Sequence, residues 1–75
     1  MESEKFHALL KAIDCGSLTG AAEELGYTQA GLTHMMNRLE KEIGVSLLQR
    51  TKSGVKLSPD GLELLPYIKT FTAAA

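Results

Sequence analysis

The chain is poor in what several protein classes depend on. Its single cysteine, Cys15, can close no internal disulfide, which excludes a disulfide-stapled scaffold. His7, His34 and Cys15 are scattered without the spacing that three or four metal ligands need, so no metal site is expected. No stretch nears the roughly 18 to 20 apolar residues that span a bilayer, and the opening MESEKFHALLK is acidic where a secretory signal is basic. A cytoplasmic location without membrane association is the expectation. Glycine-rich phosphate loops, internal repeats and low-complexity tracts are missing as well. Cys15 and His7 lie eight positions apart on one expected helix. That is about 12 Å along the axis at a rise of 1.5 Å per residue, too far for nucleophile and base to meet. No other acid, base and nucleophile converge, so neither an enzyme nor a cofactor is expected.

What is present is an ordinary globular composition, 44% hydrophobic and 23% charged over 75 residues, the size of one small domain. The net charge of −1 hides an uneven distribution. Residues 1–27 sum to −3, residues 28–58 to +3 and residues 59–75 to −1. Because charges attract over a Debye length of roughly 8 to 10 Å, the basic middle can meet an anionic partner although the whole is nearly neutral.

Apolar periodicity divides the chain into helices and one hairpin. Phe6, Leu9, Leu10 and Ile13 recur at helical spacing and Gly16 follows as a stop, which predicts a helix over 3–15. Leu18, Ala21, Ala22 and Leu25 repeat the spacing in a shorter helix, with Ser17 or Thr19 as its cap and Gly26 as its terminator. Thr28 can cap a third helix with Leu32, Met35 or Met36, Leu39 and Ile43 inward, ending at Gly44. The period then shortens. Leu47 to Thr51 and Val55 to Leu57 read as a small hairpin around LysSerGly at 52–54. Ser58, Pro59 and Asp60 start a fourth helix, with Leu64, Ile68, Phe71 and Ala75 on one stripe and Leu62 and Leu65 beside it. Pro66 removes a backbone hydrogen bond inside that helix and should bend it.

Two helices joined by a three-residue turn containing glycine make a helix-turn-helix unit, here residues 18–43, whose second helix enters a DNA major groove. Its requirements are met by small residues at the helix crossing, Ala21 and Ala22, and by Gly26 in the turn. The third helix leaves Gln29, Ala30, Thr33, His34, Asn37, Arg38 and Lys41 outward, none of them acidic. Gln29, Ala30, Thr33 and His34 are the base-reading candidates. Gln29 can pair bidentately with adenine, Thr33 offers a hydroxyl and a methyl, and His34 offers an N–H, although an outward histidine often does nothing measurable. Phosphate candidates are Arg38, which can equally pair with Glu42, and the hairpin cations Arg50, Lys52 and Lys56, which can equally be a solubilising face. Ser17, Thr19 and Thr28 complete that set, either as caps alone or as the ends of helices whose free amides meet phosphate.

The string SLTGAAEELGYTQAGLTHMMNRLEKEIGVSLLQRTKSGVKLSPDG resembles the N-terminal winged helix-turn-helix domain of LysR-type transcriptional regulators, over about Phe6 to Tyr67. The resemblance rests on the AlaAla pair, the ThrGln opening of the third helix, LeuGluLysGluIleGly, LeuLeuGlnArgThr, GlyVal and the SerProAspGly helix start. This sequence has Ala30, Leu48 and His34 where the family often has proline, phenylalanine and arginine or lysine. The resemblance implies a mainly α fold: a three-helix core, a two-stranded β-hairpin wing and a C-terminal linker helix. Residues 1–58 would form the DNA-binding domain and residues 59–75 a truncated linker and dimerisation helix. Double-stranded DNA is the implied partner, with a homodimer through Leu62, Leu65, Ile68 and Phe71 and a higher oligomer in a longer parent. The family's effector-sensing region, which binds a small molecule, is not in these residues, so a fragment is expected. The alternative is a winged helix used for protein contact, as in a small antirepressor.

Overall fold

Small residues set how closely the first helices approach. The computed structural model describes residues 2–74, with side-chain surroundings for residues 4–70. Helix α1 spans Glu2–Cys15 and α2 spans Leu18–Leu25. Ala8 and Ala12 on α1 and Ala21 and Ala22 on α2 are all buried, so the two backbones pack with little side chain between them. Ser17 is the cap of α2, its Oγ accepting from the Gly20 amide at 3.1 Å, and Thr19 stands exposed in the first turn. At the other end Gly26 has φ 79°, a left-handed conformation a side chain would strain, and this directs the chain into α3 within three residues.

Helix α3 spans Gln29–Ile43, with Thr28 Oγ1 accepting from the Gly31 amide at 3.0 Å. Leu32, Met36 and Leu39 are its buried face. Met36 takes the inward position and Met35 packs half-buried beside it. Ile43, expected inward, is 37% exposed, because the last turn of α3 runs past the core to a groove it shares with Phe6 and Tyr67.

Strands β1, Leu48–Thr51, and β2, Gly54–Leu57, form an antiparallel hairpin with Leu48 opposite Leu57 and Arg50 opposite Val55. Its two-residue period buries Val55 and Leu57 and leaves Lys56 exposed between them. Helix α4, Pro59–Ala74, begins at Ser58. The Ser58 Oγ accepts from the Gly61 amide at 2.9 Å and donates to the Ser46 carbonyl, and its amide donates to the Leu47 carbonyl at 2.9 Å. Gly61 is needed there by space rather than by φ, since a Cβ would sit 2.7 Å from the Leu47 carbonyl oxygen. The helix continues through Pro66. Ile68 is 5% exposed and belongs to the core with Leu9, Leu32, Leu39 and Leu47. Ile68 was expected on a dimer face. It is instead the side chain that docks α4 on its own chain, while Leu62 is 59% exposed and Leu65 half-buried. The Phe71 side chain and Ala75 lie outside the described residues.

Candidate nucleic-acid interface

Once its apolar stripe is buried, α3 presents a polar face by default. Gln29, Ala30, Thr33, His34 and Asn37 line one shallow groove along it. The wing closes on the same helix from one side: Arg50 meets Thr33 and Asn37 across a crevice floored by Leu18, Met36 and Val55. A second crevice joins the start of α2, through Ser17 and Thr19, to Gln29 and to Arg50, Thr51 and Lys52. Three segments far apart in sequence, around residues 17–19, 29–37 and 50–52, thus form one surface.

The wing holds its position through the backbone. The Val55 amide donates to the Gly16 carbonyl at 3.0 Å, joining β2 to the turn between α1 and α2. Gly54, at φ 140°, passes so close to that turn that a Cβ would lie 1.8 Å from the Gly16 oxygen, so no side chain fits. On the opposite edge Glu40 reaches from α3 to the chain entering β1. Its Oε2 accepts from the Leu47 amide at 2.6 Å and the Leu48 amide at 2.9 Å. Helix and wing are thereby fixed relative to each other by one carboxylate.

That contact also changes the electrostatics. Glu40 and Glu42 are the only acids among residues 28–58, and both are engaged: Glu40 lines the wing crevice with its carboxylate on those amides, and Glu42 pairs with Lys5 at 2.7 Å. The Lys5 ammonium holds the Glu42 carboxyl below its usual range, against a smaller opposing effect of burial. Glu42 therefore takes Lys5 rather than Arg38 as its ion-pair partner. Among the described residues, Arg38, Lys41, Arg50, Lys52 and Lys56 have no ion-pair partner. Cations left unpaired beside neutral hydrogen-bonding side chains suit a polyanion.

The sequence-selected residues divide accordingly. Gln29, Ala30, Thr33 and His34 come together on α3, and Ser17, Thr19, Arg50 and Lys52 border them. Thr28 is exposed at the helix start and Arg38 is exposed one turn beyond His34. Lys56 lines neither crevice, because strand alternation sets it apart from the Arg50 and Val55 pair. Asn37 was named only as an outward position, yet it borders both the α3 groove and the wing crevice. Its place four residues after Thr33 was the available signal. Glu40 carried none, since its partners are backbone amides seven and eight residues away. Cys15, which lines none of these crevices, donates to Glu24 at 2.7 Å, and that contact raises its thiol pKa.

Three helices with a glycine turn between the second and third, followed by a hairpin against the third, are a winged helix-turn-helix module. The family model for bacterial regulatory helix-turn-helix proteins of the lysR family matches residues 3–62. The chain belongs to that family, as a LysR-type helix-turn-helix DNA-binding domain. It is similar to the HTH-type transcriptional regulator CzcR of Bacillus subtilis (strain 168), 44% identical over 52 residues, which are 69% of this chain and 18% of CzcR. CzcR of Bacillus anthracis is 34% identical over 68 residues, 91% of this chain and 24% of that protein. The chain thus spans about a fifth to a quarter of the length of these relatives. Among solved structures, the CbnR_DBD–DNA complex superposes with a TM-score of 0.89 at 27% identity, covering 99% of this chain and 85% of that one. The BenM_DBD complex with catB site 1 DNA gives 0.88 at 28% identity, covering 99% and 80%.

Proposed function

We propose that this chain recognises specific double-stranded DNA sequences by laying α3 in the major groove. The observation that carries the reading is the single surface on which Gln29, Ala30, Thr33, His34 and Asn37 lie between the start of α2 and the wing cations Arg50 and Lys52. Side chains of the first kind read base edges, and the cations and helix start hold phosphates. DNA in the CbnR and BenM complexes supports the same partner here. Exposed Leu62 and half-buried Leu65 on α4 would pair with a second copy, setting two reading heads along the duplex. In the cytoplasm such a pair would act as a transcription regulator.

Selection from a random duplex pool followed by titration against salt tests this reading. Log affinity should fall against log salt by about 0.9 per phosphate neutralised, and a flat response would favour a protein partner for this face. On the selected duplex Gln29→Ala or Thr33→Ala should cost roughly 1 to 3 kcal/mol, while Lys52→Ala weakens selected and random duplexes alike. Equal losses on both duplexes for the α3 variants would mean that a different face reads the bases.

A further inference from the structure

His34 is the one titratable side chain in the α3 groove, whose other lining residues, Gln29, Ala30, Thr33 and Asn37, carry no charge. No charged side chain of the elements packed on α3 lines this groove. Helix α1 gives Lys5 to Glu42 at 2.7 Å, and Glu24 on α2 is held by Cys15 at 2.7 Å with Lys11 at 4.0 Å. Glu40 is committed to the Leu47 and Leu48 amides, and the wing's Arg50 lies beyond Thr33 and Asn37. On α3 itself the charged neighbours at helical spacing are Arg38, one turn on, and Lys41, two turns on, both cationic. No acid lines the groove to pair with an imidazolium at position 34. A duplex would be its first counter-charge.

An imidazole ordinarily titrates near pH 6.5, and only its protonated form presents two N–H donors. A duplex offers acceptors alone at guanine N7 and O6 and at phosphate oxygens, within a strongly negative potential. We infer that His34 engages DNA as its imidazolium, donating to a guanine-edge or phosphate acceptor, so that binding takes up one proton from solvent. The inference rests on the DNA-binding reading above. Because DNA favours the cationic form, the added affinity is complete below the free imidazole's titration and is lost as the pH rises through that of the complex. His7, the second histidine, lies in a groove between α1 and α4 with Lys11, Asp14 and Lys69 and provides an internal control.

The test measures anisotropy of rhodamine-labelled duplexes at constant ionic strength, from about pH 5.5 to about pH 8, a span that brackets histidine titration. One duplex is selected from a random pool by this chain at low pH, and a second has unrelated sequence. For the wild type, Kd should rise about tenfold across the range, with log Kd climbing no more steeply than one per pH unit, the limit for a single proton. His34→Gln should lose the slope, His34→Lys should lose it while binding more tightly than His34→Gln, and His7→Gln should keep it. A slope on both duplexes assigns the acceptor to phosphate, and one confined to the selected duplex assigns it to a base edge. A flat wild-type profile, or a slope that survives His34→Gln, overturns the inference and leaves DNA binding intact. No binding to either duplex at any pH would overturn both.

Discussion

Glu40 is surface-facing in its sequence context, one of two acids in a basic stretch, yet its carboxylate serves as the acceptor for two consecutive amides at the entry to the wing. Removing it leaves the part-buried Leu47 amide without a partner, and an unsatisfied buried donor costs about 1 to 3 kcal/mol. Glu40→Ala should therefore lower the thermal midpoint by about 4 to 8 °C per kcal/mol lost in a domain of this size, whereas Glu40→Gln, which keeps an oxygen acceptor, should lose less. Calorimetry of both variants checks this. Lys5 and Glu42 make a pH-dependent contribution of determinate sign. The folded carboxyl is held down by the ammonium, so this contribution is present above the ordinary glutamate value of 4.5 and is lost as the pH falls through the lowered one. Wild type should exceed Lys5→Met in stability at neutral pH, and the difference should fade in acid. A gap that persists unchanged through the acid range would mean that packing of the lysine stem, rather than its charge, stabilises the fold.

Among the elements, α4 has two roles that its apolar stripe does not separate. Ile68 closes the core of its own chain, while Leu62 and Tyr67, 59% and 73% exposed, face outward. The two classes of side chain should respond differently to substitution. Ile68→Ala should destabilise the monomer by about 2 to 5 kcal/mol, as large-to-small core changes do, and reduce the urea midpoint. Leu62→Glu should leave that midpoint nearly unchanged and weaken self-association in sedimentation equilibrium. A large loss of stability in Leu62→Glu would place Leu62 in the fold rather than in a contact between copies. The other elements were readable because local signals agreed. Thr28 and Ser17 cap their helices as their side chains allow, and Gly26 ends α2 where a left-handed residue is required. Ser58, Pro59 and Asp60 start α4 as such a triplet should. Ile43 was misread because periodicity identifies a face of a helix but not where the core beneath that face stops.

Across the whole molecule, a net charge of −1 coexists with five cations in residues 28–58 that have no ion-pair partner among the described residues, of which Arg50 and Lys52 border the α3 face. Such a head is small. A single module buries roughly 600 to 1,000 Å² of protein surface on DNA, which limits its affinity. Two copies tethered at a spacing of whole duplex turns should bind a double site about 10² to 10⁴ times more tightly than one copy binds a half-site. Inserting half a turn between half-sites should abolish most of that gain, and gel-shift titration of the spacer series reads it directly. Equal affinity at every spacing would show that the heads bind independently.

Helix limits, the glycine turn, the hairpin and the polar face of α3 are properties of short stretches, because capping, φ preference and apolar period act within a few residues. The residue order alone determined these, along with Gln29, Thr33 and His34 on one side of one helix. Which cations join that side, how its acids are engaged and which apolar residues of α4 stay exposed were decided only when distant segments met. Arg50 shares a crevice with Asn37, Glu40 accepts from the Leu47 amide and Ile68 enters the core through placements that no local pattern encodes, since each depends on where one element comes to rest against another.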